Sequence, residues 1–250
     1  MSAFTAEVIG TMLLVLFGNG VVANVVLART KAGEGSWLLI SAGWGVAVFV
    51  GAFCANQFSG AHLNPAISIA MFVAGKMALG KMFLYIVAQF IGAIIGAALV
   101  YLSYRQHFDV TDSADAKLAC FCTAPAIPNN LQAFFCEAVG TFALILPVFL
   151  MATPTLMQSG EPVDTDPILG LGSLGLLPVA LLVFGIGMSL GGTTGYAINP
   201  ARDLGPRLVH FILPIRGKRD SDWGYAWVPV AGPVAGGVLA AVVYLTLSSL

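Results

Sequence analysis

Residues 59–66 read Ser59-Gly60-Ala61-His62-Leu63-Asn64-Pro65-Ala66, and residues 194–201 read Thr194-Gly195-Tyr196-Ala197-Ile198-Asn199-Pro200-Ala201. In both, a glycine-containing loop runs into an Asn-Pro pair. Asn is a strong helix N-cap, and Pro is favoured at the first helical position, where its missing N–H costs nothing. Each stretch therefore marks a helix start. The apolar runs that follow, Pro65–Ala74 and Pro200–Leu213, are too short to cross a bilayer, which takes about 20 residues. Irregular backbone at membrane depth is tolerated only where protein buries it or it lines a watery cavity.

The bilayer is the right solvent to consider. Of 250 residues, 58% are apolar and only 9% charged, against roughly 45–50% and about 25% in an average soluble domain. That excludes an ordinary soluble domain and also a disordered chain, which needs high charge. The net charge of −1 offers no basic field, so no nucleic-acid partner is expected. Six segments are long and apolar enough to span: Phe4–Leu27, Trp37–Gln57, Met82–Tyr104, Leu131–Met151, Leu174–Leu190 and about Ala226–Leu247. They are continuous rather than alternating, which argues against barrel strands. The first lacks a positive leading region and is longer than a signal core, so it is expected to be retained.

The chain repeats internally. Ala6-Glu7-Val8-Ile9-Gly10-Thr11 recurs as Cys136-Glu137-Ala138-Val139-Gly140-Thr141, an offset of 130, and Asn64 recurs as Asn199, an offset of 135. The third and sixth segments each carry Gly-x-x-x-Gly, at Gly92/Gly96 and Gly232/Gly236. One domain over residues 1–250 thus consists of two halves, 1–104 and 131–250, joined by a loop at 105–130. Three spans per half is an odd number, so the second half crosses in the opposite sense. In such inverted repeats the site lies near the midplane, at the N-termini of broken helices.

Two Asn-Pro-Ala boxes, the second extended to Arg202-Asp203, resemble the major intrinsic protein family of aquaporins and glycerol facilitators. The resemblance covers nearly the whole chain. It implies an all-α membrane protein with six transmembrane helices and two re-entrant half-helices. It also implies a passive channel rather than an enzyme, needing no cofactor. The expected partners are glycerol or other small polyols, water, the lipid bilayer and further copies of the chain in a homotetramer. The expected location is the cell membrane, the inner membrane in a bacterium. A water-selective pore is the alternative within the family. An ion-coupled secondary transporter using Glu7 or Glu137 is the alternative of another class.

The residues divide by role. Asn64 and Asn199 cap their short helices. If the two helix N-termini meet, the amides also face a pore as donors, and the positive helix ends repel cations. Pro65, Ala66, Pro200 and Ala201 complete the boxes. Arg202 is costly on a lipid face, so it belongs at an interface or facing an interior; the resemblance places it in the narrowest filter. Trp44, Gly187 and Tyr196 join it there by resemblance and register. Trp and Gly are the glycerol-facilitator choices, whereas Tyr196 departs from the usual Phe. The loops Gly60-Ala61-His62 and Thr194-Gly195-Tyr196 are expected to line the pore with carbonyls.

Structural support is expected from Glu7 and Glu137, each accepting from the backbone N–H groups of its own half's loop. Asp203 suits a first helical turn and matches the glycerol-facilitator form of the box. His62 reads as a hydrogen-bonded core residue. Cys54 and Cys136 read as small apolar fillers, and Cys120 and Cys122 are too close in sequence for a usual disulfide. No His, Cys and carboxylate spacing suggests a metal site, and no nucleophile elbow or P-loop is present.

Charge and resemblance disagree on orientation. Cytoplasmic termini, which the resemblance implies, leave Lys76 and Lys81 inside. Arg29, Lys31, Arg105, Lys117, Arg207, Arg216, Lys218 and Arg219 then lie outside. The positive-inside rule prefers the reverse.

Overall fold

The computed structural model describes residues 1–33, 35–151, 157–158, 161–162 and 171–249. The first half contains α1 (Ala3–Val26), α2 (Trp37–Ser59), the short α3 (Pro65–Val73) and α4 (Leu79–Val110). After a connecting α5 (Ala114–Ala119) come α6 (Asn130–Leu150), α7 (Leu177–Leu190), the short α8 (Pro200–Ile212) and α9 (Val228–Ser248). A two-residue antiparallel pair, Met157–Gln158 with Glu161–Pro162, lies between α6 and α7. The acidic stretch Thr153–Gly172, with Glu161, Asp164 and Asp166, falls mostly outside the described residues.

The helix starts follow local chemistry. Ser2, Asn64, Ser113, Asn129 and Asn199 each accept a backbone N–H of the first turn through the side-chain oxygen. Among the described residues, six helical segments are long and apolar enough to cross a membrane, the fifth being Gly172–Leu190. Its first turn, Gly172–Leu176, is 3-10 helix, and Pro178 starts the α-helical part.

Most boundaries fall within three residues of the sequence reading; the end of the third span does not. The third span runs over 32 residues to Val110, not to Tyr104, so the loop expected from residue 105 begins as helix and then holds α5. Hydropathy locates an apolar window, but Arg105, Gln106 and His107 continue a helix once it has left the lipid. At about 1.5 Å per residue, α4 stands well clear of about 30 Å of hydrocarbon.

The halves pack in corresponding ways. α1 lies against α2 and α4, as α6 lies against α7 and α9. Within lipid no hydrophobic effect drives helices together, and close backbone approach does the work. Any Cβ on Gly92 or Gly96 would strike the Val8 or Met12 carbonyl of α1, and one on Gly236 would strike the Ala138 carbonyl of α6. Across the halves, α3 packs on α9 and α4 on α8. Each short helix is therefore held by the third span of the other half, which brings both Asn-Pro pairs to the centre of the bundle.

Candidate functional site

The two loops that precede the short helices share one backbone path. Gly60, Ala61 and Leu63 have φ of 82°, 52° and 51°, and Gly195, Tyr196 and Ile198 have 83°, 38° and 43°. Glycine takes the left-handed region freely, but the other four residues adopt it at a cost of roughly 1–3 kcal/mol each. Buried carboxylates hold them there. Glu7 accepts from the N–H of His62 (2.9 Å) and Leu63 (2.8 Å), from Ser59 Oγ (2.6 Å) and from Gln89 Nε2 (2.7 Å). Glu137 accepts from the N–H of Ala197 (2.9 Å) and Ile198 (2.8 Å) and from Thr194 Oγ1 (2.6 Å). Successive N–H groups converging on an anion form a nest.

That arrangement dictates where the carbonyls go. A trans peptide points its C=O opposite to its N–H, and no cis bond occurs among the described residues. The carbonyls of Ala61, His62, Tyr196 and Ala197 are therefore turned away from the carboxylates, toward a cavity of about 260 Å³ that these four residues line. The sequence reading included Ala61, His62 and Tyr196 and missed Ala197. Gly60 lines the same cavity. Thr194 and Gly195 line a second one, of about 490 Å³.

The Asn side chains link the halves. Asn64 Nδ2 donates to the Ile198 carbonyl and Asn199 Nδ2 to the Leu63 carbonyl, both at 2.8 Å. Asn64 Oδ1 caps α3 through Ala66 N–H, and Asn199 Oδ1 caps α8 through the N–H of Ala201 and Arg202. Each Nδ2 carries a second hydrogen, and both residues line the first cavity. Pro65, Ala66, Pro200 and Ala201 are buried behind them. The rest of that cavity is largely apolar, with Leu14, Val48, Ile67, Leu144 and Val183 in its wall.

The two cavities share three lining residues, Trp44, Tyr196 and Arg202, and so meet at them. The Arg202 guanidinium carbon lies 4.1 Å from the Trp44 ring centroid, a cation–π distance. Arg202 is only 7% exposed, yet its Nη1 has no partner among the described residues. A buried donor without a partner is expensive, and here it faces a cavity through which a hydroxyl can pass. Gly187 lines neither cavity. A Cβ there would sit 2.8 Å from the Tyr196 ring and hydroxyl, so the glycine makes room for tyrosine and Tyr196 forms the wall. Trp37 meets the Tyr196 ring edge-on at 5.9 Å and donates to the Gly187 carbonyl at 2.8 Å.

Asp203 and Arg207 pair at 2.8 Å, both fully buried. Arg207 had been counted with the loop charges; it lies on the inner face of α8 and is the largest fully buried side chain. Its spacing of four from Asp203 was the signal in the sequence, because i and i+4 share a helix face. His62 Nδ1 lies 3.0 Å from Ser68 Oγ, and Gln89 Nε2 joins Ser68 and Glu7. The four cysteines are free thiols, and burial pushes the Cys120 and Cys122 thiols up, so they stay protonated. Among the described residues no group of three His, Cys or carboxylate side chains is placed to hold a metal.

Comparison with known proteins agrees with this fold. The family model described as Major intrinsic protein matches residues 1–244. The chain is 47% identical over 244 residues to the probable glycerol uptake facilitator protein of Thermotoga maritima, covering 98% of each chain. It is 45% identical over 244 residues to the glycerol uptake facilitator protein of Streptococcus pneumoniae, again covering 98% of each. The crystal structure of the aquaglyceroporin from Plasmodium falciparum superposes with a TM-score of 0.79 at 30% identity, covering 96% of this chain and 93% of that one.

Proposed function

The chain belongs to the major intrinsic protein family, and from that premise we propose that it is a passive channel for glycerol and similar small uncharged solutes, with some water. It resides in the cell membrane as a multi-pass protein. The observation that carries the reading is the meeting of two cavities at Trp44, Tyr196 and Arg202. A polyol has a carbon face and a hydroxyl face. Aromatic rings take the first, and Arg202, the Asn64 and Asn199 amides and the loop carbonyls replace the hydration of the second. An ion would exchange its hydration shell for an apolar wall, one fixed positive charge and two positive helix ends.

The test is solute flux in proteoliposomes followed by stopped-flow light scattering, comparing water, glycerol and a longer polyol. The expected outcome is glycerol entry far above empty vesicles, unsaturable and indifferent to proton or sodium gradients. Fast water flux without glycerol entry would assign a water-selective pore. Glycerol accumulation against its gradient, driven by pH, would assign a coupled transporter. The reading extends to a homotetramer with one pore per 26.0 kDa subunit, as the resemblance implies. A native mass of one or two chains in mild detergent would count against it.

A further inference from the structure

The pair Asp203–Arg207 does more than satisfy itself. Asp203 Oδ2 accepts from both the backbone N–H and the hydroxyl of Thr123, each at 2.7 Å. Arg207 binds Asp203 Oδ1 through Nε (3.0 Å) and Nη2 (2.8 Å), and Nη2 also donates to the Thr123 carbonyl at 2.9 Å. Its Nη1 donates to the carbonyls of Ser221 (2.7 Å) and Asp222 (3.1 Å). Every polar group of Thr123 is thus taken by two side chains of α8, and the segment before α9 is tied to the same guanidinium.

Thr123 lies beside the constriction, on its wider side. It lines the second cavity together with Gly195, Tyr196 and Arg202. Its methyl carbon is 3.2 Å from the position a Cβ on Gly195 would occupy, so it packs directly on the loop that carries Tyr196. Asp203 immediately follows Arg202 in the chain. The first half has no equivalent. At the offset of 135 the counterpart of Asp203 is Ser68, which bonds His62 and Gln89 within its own half. The device is present only in the half that supplies Tyr196 and Arg202.

We propose that Asp203 and Arg207 are positioning residues that hold Thr123 as a fixed wall beside the constriction and thereby set which polyol length the pore accepts. The proposal rests on the channel reading above. A buried ion pair is by itself weak evidence of stabilisation; what recommends this one is that Asp203 Oδ2 and Arg207 Nη2 also bind the backbone and hydroxyl of Thr123, which lines the cavity beside the filter. Two other anchors hold the same segment independently. Asn19 Nδ2 donates to the Phe121 carbonyl at 3.2 Å, and Ala126 N–H to the Thr193 carbonyl at 2.9 Å. Loosening Thr123 should therefore shift the wall without unseating the loop.

The experiment measures water, glycerol and erythritol permeability in proteoliposomes for the full chain and three variants. Thr123→Val keeps the shape but removes the hydroxyl bond. It should change the erythritol-to-glycerol ratio by about threefold or more. Thr123→Ser, which restores the hydroxyl, should return the ratio toward that of the natural chain. The paired change Asp203→Leu/Arg207→Met removes both charges together, so that no lone charge is left buried, and should shift the ratio at least as far as Thr123→Val. A structural brace alone would lower thermal stability and leave the ratio where it was; unchanged ratios in Thr123→Val overturn the proposal. If the paired variant fails to insert, the comparison of Val with Ser at position 123 decides. Absent glycerol flux in the natural chain would overturn the channel reading itself, a failure distinct from unchanged ratios in a conducting channel.

Discussion

At the residue scale the most informative side chains are two carboxylates, Glu7 and Glu137, that form no ion pair among the described residues. Glu137 is fully buried and carries three hydrogen bonds, all from the loop that ends at Asn199 and two of them from its backbone N–H groups. Removing it leaves the Ala197 and Ile198 N–H groups and the Thr194 hydroxyl without an acceptor. An unsatisfied buried donor costs about 1–3 kcal/mol, and the left-handed Tyr196 and Ile198 lose what holds them. Glu137→Ala is expected to destabilise the protein by about 2–5 kcal/mol, seen as a large drop in the thermal unfolding midpoint in detergent. A midpoint unchanged from the natural chain would show that the loop holds itself. The spacing of Glu7 and Glu137 was plain in the sequence because the two hexapeptides repeat. That each meets its own half's loop is likewise expected from the repeat; the individual N–H groups, more than fifty residues away, show only in the fold.

At the element scale the short helices were legible and the end of the long one was not. Asn64-Pro65 and Asn199-Pro200 encode a cap and a first turn locally, so the starts of α3 and α8 follow from the pairs alone. The end of α4 is set by nothing as sharp. Its last turn reaches the α1–α2 connection, where His107 Nδ1 lies 2.9 Å from the Ala28 carbonyl and the Thr111 hydroxyl accepts the Ala28 N–H at 2.9 Å. Those are tertiary bonds that no periodicity announces. The same holds at the constriction. The resemblance assigns Trp44, Gly187 and Arg202 alike to the filter, but that Gly187 acts by making room for the Tyr196 ring shows only in the fold. Thr123 carried no signal, because its importance comes from Asp203 and Arg207, about eighty residues on.

At the scale of the whole molecule the question is which way the channel points. Cytoplasmic termini put eight Lys and Arg on the outer side and two on the inner, against the positive-inside rule. The structure gives four of the outer cations a local task. Lys218 Nζ donates to the carbonyls of His210, Phe211 and Leu213 at the end of α8, where a helix leaves its last acceptors unpaired and favours a cation. Lys117 is buried against the Arg216 carbonyl, Arg207 holds Thr123, and Arg219 pairs with Asp115 and Asp220. These charges sit where they do because carbonyls and carboxylates of the connecting segments and of the end of α8 need donors. The family orientation is therefore the one to test. A protease-cleavable tag at the C-terminus should survive protease added to intact cells and be cut after permeabilisation. Cleavage in intact cells would reverse the assignment, placing Thr123, Asp115 and the wider cavity on the cytoplasmic side. The constriction would then be the last barrier an incoming solute meets instead of the first.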